Sequence, residues 1–490
     1  MNRDEGVRAL EQRREQWDIL IIGGGATGLG AAVDAASRGY RTVLLEQHDF
    51  AKGTSSRSTK LIHGGVRYLR QGNIGLVRDS LRERALLLHN APHVARTQSF
   101  VVPAYGAFER AWYGVGLKLY DRLAGRFSLG PSRFLSREET TRELPSARGD
   151  GLRGGVQYFD GQFDDARLAI SLAQTATGLG AVALNYIKVV RLLKQGGRTA
   201  GAVAVDSETG REHEVRARVV INATGVFTDA VRRLDDLNAT PLVTVSQGAH
   251  VVVARKFLPG ASALMVPKTR DGRVLFAIPW LSHVVIGTTD VPVTETPLEP
   301  RPFREEIKFL LEESGRYLAG APRQQDVLST FAGLRPLVKG TAAHTAQLSR
   351  DHTILVSPSG LVSIAGGKWT TYRKMGEDVI DRAADLIGPA ARPSATHNLR
   401  LHGADSDSKT SMALTRGFVR HIAREEMART VEDVLARRWR TLFIDARAAI
   451  GAAPMVAEVL GSELNRPAEW RDEQVAAFRK MASGYLPGGR

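Results

Sequence analysis

The sequence predicts an α/β protein: a parallel sheet covered by helices and built from separated segments, an antiparallel-sheet domain between them, and a helical C-terminal domain. Three observations predict it. The apolar run Ile19-Leu20-Ile21-Ile22 enters a glycine-rich turn, Gly23 to Gly28, and then a small-residue helix from Ala31 to Ser37. A second buried run, Leu361-Val362-Ser363-Ile364, ends at Gly366-Gly367 and leads into a helix from about Thr371 to Ile387. The stretch Ser411 to Arg490 is rich in Ala, Arg and Glu and nearly free of strand signal.

Gly23, Gly25 and Gly28 fit the Rossmann fingerprint G-x-G-x-x-G. Gly23 permits the tight turn, Gly25 lets a pyrophosphate approach the backbone, and Gly28 lets helix and strand pack closely. The helix N-terminus then offers free N–H groups and a positive dipole to phosphate. The strand Thr42-Val43-Leu44-Leu45 ends at Glu46, where a carboxylate can bind a ribose hydroxyl. Dinucleotide binding follows from strand, turn, helix and acid together. The fingerprint alone does not separate FAD from NAD.

Further along, Thr54 to Arg70 reads as an ordered loop and short helix. Leu76 to Asn90 is helical, Ser99 to Ala104 strand-like, and Ala111 to Leu123 an amphipathic, aromatic helix. Beyond Gly154 the chain is strand-like, and Asp164 to Leu179 is helical. Strands follow at Ala181–Leu192, Thr199–Asp206 and Glu212–Val220. Val219 to Gly225 reads as a buried strand ending in a glycine turn, before a helix from Asp229 to Leu234. His250 to Thr289 alternates as an antiparallel meander with a turn at Asp271-Gly272. Arg304 to Leu318 is a helix, and Pro389 to Pro393 a linker.

The 490 residues contain no cysteine. That excludes disulfides, cysteine-ligated zinc, an iron–sulfur cluster in this chain, a catalytic thiol and a cysteinyl-flavin bond. No metal site is expected, because no metal-ligand spacing occurs. The N-terminus has no apolar core of a secretory signal, and no apolar run is long enough to span a bilayer. The formal charge of +15 is diffuse: the last ninety residues carry 14 Lys+Arg against 12 Asp+Glu. No nucleic-acid partner is expected; a diffuse positive surface suits anionic metabolites or lipid headgroups. Core packing is the expected role of the helix Trp112 to Leu123 and of Phe443 and Tyr485, with contact to a membrane surface as the alternative for each.

The chemistry concentrates in a few places. A helix starting after Gly366-Gly367-Lys368-Trp369-Thr370-Thr371 aims its N-terminal dipole at the turn. A reduced flavin carries negative charge there, which favours FAD over NAD. Arginines stand in what read as turns: Gly65-Val66-Arg67-Tyr68, Gly333-Leu334-Arg335-Pro336 and Leu348-Ser349-Arg350-Asp351. Held so, a guanidinium suits bidentate binding of phosphate or carboxylate; three of them with Lys368 point to an anionic substrate. His63 and His250 are candidates to accept the proton when a flavin oxidises an alcohol.

These residues resemble the FAD-dependent glycerol-3-phosphate dehydrogenases. The opening from Ile22 to Gly39 is similar to that family's signature, with Leu29 departing from the small residue usual there. More specific blocks are Thr54-Ser55-Ser56, Lys60-Leu61-Ile62-His63-Gly64-Gly65 with Arg67-Tyr68-Leu69, Ile278-Pro279-Trp280, and Ile286-Gly287-Thr288-Thr289-Asp290. Gly366-Gly367-Lys368 with Thr371-Tyr372-Arg373 is another, with Gly376 where alanine is usual, and Ala428 to Leu435 extends the likeness to the C-terminus. The resemblance implies a D-amino-acid-oxidase type of fold. It implies FAD-binding segments 1–95, 154–235 and 346–392, substrate-domain segments 96–153 and 236–345, and a helical domain over 393–490.

It further implies oxidation of sn-glycerol 3-phosphate to dihydroxyacetone phosphate, with electrons passed to a quinone. The protein would be cytoplasmic and peripheral on the inner face of the cell membrane; a homodimer is compatible with this. Arg67, Tyr68, Arg335, Arg350 and Lys368 would hold the substrate. Arg335 and Lys368 would stand at the reacting centre, with His250 near the substrate hydroxyl and His63 beside the flavin. FAD contacts are expected from Gly23, Gly25, Ala26, Thr27, Gly28 and Glu46, then Thr54, Ser55, Ser56, His63, Gly64 and Gly65. Val189, Ala223, Gly225, Gly366, Gly367, Lys368, Trp369 and Thr370 complete them. The rival readings are an oxidase making hydrogen peroxide, an amine or amino-acid oxidase of the same fold, and a flavin-bound sensor without turnover.

Overall fold

The computed structural model describes residues 1–13, 15–65, 73–339, 351–388, 392–406 and 413–488. Arg67, Tyr68 and Arg350 lie outside the described residues, as does part of the expected linker. Two sheets organise the rest. In the first, Trp17–Ile22 is central, parallel to Thr42–Leu45 on one side and Glu212–Asn222 on the other. Val182–Leu184 and Val362–Gly366 extend it in parallel, and His352–Val356 closes one edge antiparallel. The runs 19–22, 43–45 and 219–221 are wholly apolar and buried because both faces are covered there. Ile19, Ile21, Leu44 and Ile221 point into a core shared with the helices Ala26–Ser37, Asp165–Gly178 and Tyr372–Ile387. Leu20, Ile22, Val43 and Val220 point the other way, against an antiparallel extension formed by Ile187–Gln195 and Arg198–Asp206.

The second sheet runs Val291–Val293, Val243–Ala254, His283–Gly287, Leu275–Trp280, Ala263–Val266, Ala95–Ala104, Gly154–Phe163 and Leu61–Ile62. The long strand Val327–Val338 pairs along Val243–Ala254. The helical C-terminal region packs Val419, Leu435, Phe443 and Val456 against Trp280 and Phe331 of this sheet. Ion pairs from Asp49 to Arg437 and Arg438, and from Arg167 to Glu426 at 2.5 Å, tie it to the first sheet and its helices.

Several expectations change. A helix at Arg3–Gln12 precedes the sheet, and the helix after the glycine turn begins at Ala26, not Ala31, because its glycines are inside the helix and serve contact. A Cβ at Gly28 would lie 1.9 Å from the Gly23 carbonyl oxygen. The same contact logic applies to Gly376: its Cβ would stand 2.7 Å from the Gly30 backbone where two helices cross, so that position is not a neutral exchange with alanine. Ala181–Leu192 splits into two strands at Tyr186, whose φ is +58°. The two runs at Glu212–Val220 and Val219–Asn222 are one strand. The strand Gly154–Phe163, expected to open a FAD-binding segment, pairs with Ala95–Ala104 in the second sheet.

Two differences bear on function. Arg335 is not in a turn: Gly333 to Pro336 lies inside Val327–Val338. Proline is tolerated there because the strand pairs on one side only among the described residues, so one side needs no N–H donor. The helix Ala107–Ala124 is not packed all round. Phe108, Trp112, Val115 and Leu119 are 80%, 60%, 67% and 47% exposed, whereas Leu117 and Tyr120 are buried. Phe443 and Tyr485 are buried, as core packing requires.

Candidate active site

The first glycine turn, Glu46 and the second glycine turn converge on one cavity of about 570 Å³, within the size range of cofactor sites. Gly23 (φ +110°) makes the turn. Its neighbour Gly24 donates its N–H to Glu46 Oε2 at 2.6 Å, and His48 donates to Oε1 at 2.8 Å. These bonds fix the carboxylate at the cavity wall, and its remaining lone pairs suit hydroxyl donors. Burial pushes the Glu46 carboxyl above its ordinary pKa. Ser55 Oγ accepts from Ala26 N–H at the start of the helix, at 2.9 Å. Trp369 Nε1 donates to Ser55 O at 3.0 Å, so the second glycine turn is bonded to the loop that closes the first.

Gly23, Gly25, Ala26, Thr27, Glu46, Thr54 and Ser55 all line this cavity. Val189, Ala223, Gly225, Gly366, Gly367, Lys368 and Trp369 line it too. Gly28, Ser56, Gly64 and Thr370 are placed beside it and do not form its wall. Gly28 is packed against Gly23, Ser56 is buried, Gly64 N–H donates to Tyr120 Oη, and Thr370 donates to His63 O at 3.5 Å. An open trough lined by helix N–H groups, glycine backbone and an acid fits a dinucleotide, and these residues would hold FAD.

A second, smaller cavity has a volume of about 160 Å³. Pro336 lines the larger cavity and Arg335 the smaller, because neighbouring residues of a strand face opposite ways. The Thr370 bond to His63 joins the two from the other side, since His63 and Gly65 line the smaller cavity. Arg335 Nη1 bonds Asp290 Oδ1 at 3.2 Å; Nη2 bonds Thr288 Oγ1 at 3.1 Å and Thr289 O at 2.9 Å. The guanidinium fits because position 248 has no side chain: a Cβ there would lie 2.1 Å from Arg335 Nη2.

His250 is placed differently. It is 2% exposed and stacks on its cross-strand partner Phe331, centroids 4.6 Å apart. On its other side a Cβ at Gly287 would meet its Cδ2 at 2.2 Å. Its Nε2 shares a 2.9 Å hydrogen bond with Thr59 Oγ1. Burial, reinforced by the Lys60 and Arg335 charges, holds its pKa well below the ordinary imidazole value.

Sequence reasoning missed Thr59, Asp290, Tyr158 and Arg273, which share the smaller cavity's wall. Asp290 and Lys60 stood inside recognised blocks without a role. Lys60 Nζ is fully buried and paired with Asp165 at 2.6 Å, and burial lowers its pKa to about 7. Arg440 reaches the same carboxylate at 2.7 Å from the C-terminal region. No local pattern announces such a triad, because its members come from three distant segments.

The fold and its larger cavity define a flavin-dependent oxidoreductase of the D-amino-acid-oxidase type. The family model described as FAD dependent oxidoreductase matches residues 18–373, and one described as the C-terminal domain of alpha-glycerophosphate oxidase matches residues 406–475. A mitochondrial glycerol-3-phosphate dehydrogenase of Macaca fascicularis is 40% identical over 535 aligned positions, spanning 96% of this chain and 74% of that protein. One from Arabidopsis thaliana is 38% identical over 520 aligned positions, spanning 91% of this chain and 82% of that protein. The structure of a glycerol-3-phosphate dehydrogenase from Bacillus halodurans complexed with FAD superposes with a TM-score of 0.80 at 28% identity, covering 99% of this chain and 97% of that one. An L-alpha-glycerophosphate oxidase from Mycoplasma pneumoniae, TM-score 0.62 and 19% identity, shares the fold. The chain belongs to the FAD-dependent glycerol-3-phosphate dehydrogenase family, and its cofactor is FAD.

Proposed function

We propose that this protein oxidises sn-glycerol 3-phosphate at C2 to dihydroxyacetone phosphate and passes the electrons through FAD to a quinone, in glycerol catabolism. The observation that carries this reading is Arg335, which lines the smaller cavity and is fixed there by Asp290 and Thr288. FAD in the larger cavity supplies the two-electron acceptor. Arg335, with Lys368 from the other cavity wall, stabilises negative charge developing on the substrate oxygen. Arg67, Tyr68 and Arg350 are proposed, from the resemblance, to take the phosphate, and His250 or His63 the hydroxyl proton. The dehydrogenase names of the relatives support a quinone over oxygen as acceptor.

The membrane side of this reading rests on the helix Ala107–Ala124. Among the described residues no helix is long and apolar enough to cross a membrane. Phe108, Trp112, Val115 and Leu119 recur at helical spacing on its exposed face, flanked by Arg110, Lys118, Arg122 and Arg126. An apolar stripe edged by cations suits the interface of an anionic leaflet. We place the protein peripherally on the inner face of the cell membrane through this helix.

The test is anaerobic. Glycerol 3-phosphate should bleach the oxidised flavin, and a quinone should restore it faster than air. A flavin left oxidised by glycerol 3-phosphate overturns the substrate; stoichiometric peroxide with quinone inert makes the protein an oxidase.

A further inference from the structure

His250 is a natural proton acceptor, yet the described wall of the smaller cavity does not include it. It lies behind that wall, sandwiched between Phe331 and the space left by Gly287. Thr59 stands between. Thr59 lines the cavity together with Arg335, Thr288 and His63, and its Oγ1 is 2.9 Å from His250 Nε2.

The loop that presents Thr59 is fastened on both sides. Ser58 donates to Asp165 Oδ2 from its backbone N–H at 3.0 Å and from Oγ at 2.7 Å. Lys60 donates to the same oxygen through Nζ, and its backbone N–H bonds Ser58 Oγ at 3.0 Å. Lys60 adopts φ +62°, a left-handed conformation that this anchoring sustains. Asp165 is held in turn by Arg440. Both residues flanking Thr59 therefore bond one buried carboxylate, with Lys60 Nζ also donating to Ser56 O, and the hydroxyl of Thr59 bonds His250.

We propose that the Thr59 hydroxyl meets the reacting hydroxyl of the substrate and relays its proton to His250 Nε2. The proposal rests on the reading of this site as an alcohol-oxidising one with His250 as acceptor. The substrate O–H bond breaks as its proton joins Thr59 Oγ1, while the Thr59 O–H proton joins His250 Nε2. The C2–H bond breaks with its electron pair, which FAD, the oxidant of this family, takes as hydride, and a C=O bond remains. Neutral His250 has one N–H and one lone pair, so the relay requires its proton on Nδ1 and the lone pair on Nε2. The charged groups facing the imidazole are Lys60, paired with Asp165, and Arg335, paired with Asp290. They favour the neutral ring before the anionic substrate enters; the substrate's charge then offsets them and makes the ring a better acceptor.

The experiment compares Thr59→Val, Thr59→Ser and the native flavin-loaded protein in anaerobic stopped-flow reduction by glycerol 3-phosphate, with ¹⁵N NMR of the histidines in the oxidised state. Thr59→Val should slow the limiting reduction rate about a hundredfold, the scale of a lost proton-transfer group. The substrate dissociation constant should change by less than about threefold. Thr59→Ser should recover most of the rate, since it keeps the hydroxyl. NMR should show His250 protonated at Nδ1 in the native protein, with its Nε2 signal moved in Thr59→Val. A Thr59→Val rate equal to the native one overturns the relay. So does a Thr59→Ser rate as low as that of Thr59→Val, or a native His250 protonated at Nε2. A His250→Gln rate equal to the native one also overturns it. If glycerol 3-phosphate does not reduce the native flavin at all, the substrate reading has failed instead, and the NMR signature still decides whether Thr59 is bonded to a receptive Nε2.

Discussion

The two cavities are made of different material. The larger is organised by backbone: glycine turns, helix N–H groups and one carboxylate pinned by two amides, with apolar side chains such as Val189 and Met375 completing its wall. The smaller is side chain: Arg335, Asp290 and Thr288, held by one another, with Thr59 held by His250, drawn from three separate strands and loops. A backbone cradle tolerates almost no added atom, whereas a side-chain cavity can lose a group and keep its shape. In the proposed function the first binds and the second acts, and substitutions should separate the two.

The largest effect is expected in the cradle. Gly28→Val would drive carbon atoms into the Gly23 carbonyl, already 1.9 Å from an ideal Cβ. The purified variant should carry no flavin absorbance and melt at a lower temperature. Full flavin content at native Tm would show that the turn yields and that the cradle is softer than its packing indicates.

Next comes Arg335→Gln. Flavin content should stay native while kcat for glycerol 3-phosphate falls by about 10²–10³, roughly 3–4 kcal/mol of lost electrostatic stabilisation. Loss of flavin instead would erase the distinction between the cavities. Gly248→Ala sharpens the same point more gently. Its methyl enters the space of Arg335 Nη2 and should displace the guanidinium without removing it. A fall of about tenfold in kcat/KM is expected, smaller than for Arg335→Gln, because misplacement costs less than absence.

The contrast also explains what the sequence made legible. The cradle is written locally: Ile19 to Gly28, Glu46 and Gly366-Gly367 each sit in a short pattern whose physics is self-contained. The cavity is not. Arg335 stood out as a cation in the sequence, but Gly333 and Pro336 disguised its strand as a turn; only an edge position reconciles proline with pairing. His250 stood out as a histidine, while Thr59, 191 residues away, gave no sign that it screens the imidazole from the cavity. The helix Ala107–Ala124 was read correctly as amphipathic, but periodicity does not say which apolar stripe finds a partner. Leu117 and Tyr120 find one, and Trp112 and Val115 do not.

A smaller effect, read in pH, tests the field behind the side-chain cavity. His250 must be neutral to accept a proton, so activity is lost as pH falls through its pKa. Burial, Lys60 and Arg335 hold that pKa well below the ordinary value, so His250 should put no acid limb on native kcat/KM near the unperturbed imidazole value of about 6.5. Lys60→Gln removes one positive neighbour. His250 then binds its proton more readily, and the acid limb of kcat/KM should move to higher pH. A limb that stays in place would show that Lys60 shapes the loop around Thr59 without governing the imidazole.

The smallest catalytic effect is expected on the outer face of Ala107–Ala124. The helix meets the active-site region through its buried side: Tyr120 Oη accepts from Gly64 N–H at 2.8 Å and donates to Asp160 Oδ2 at 2.9 Å, beside the smaller cavity. Its exposed side touches neither cavity's wall. Trp112→Ser with Val115→Ser should therefore leave flavin content and kcat with a soluble dye acceptor within about twofold of native, as surface substitutions generally do. Sedimentation with vesicles of phosphatidylglycerol should fall sharply, because apolar burial and attraction to anionic lipid act together at such a face. If vesicle binding is unchanged, the stripe is not what meets the membrane. If dye-linked kcat falls instead, the two faces of this helix are coupled through Tyr120, and the side-chain cavity extends its dependence to the protein surface in a way the backbone cradle does not.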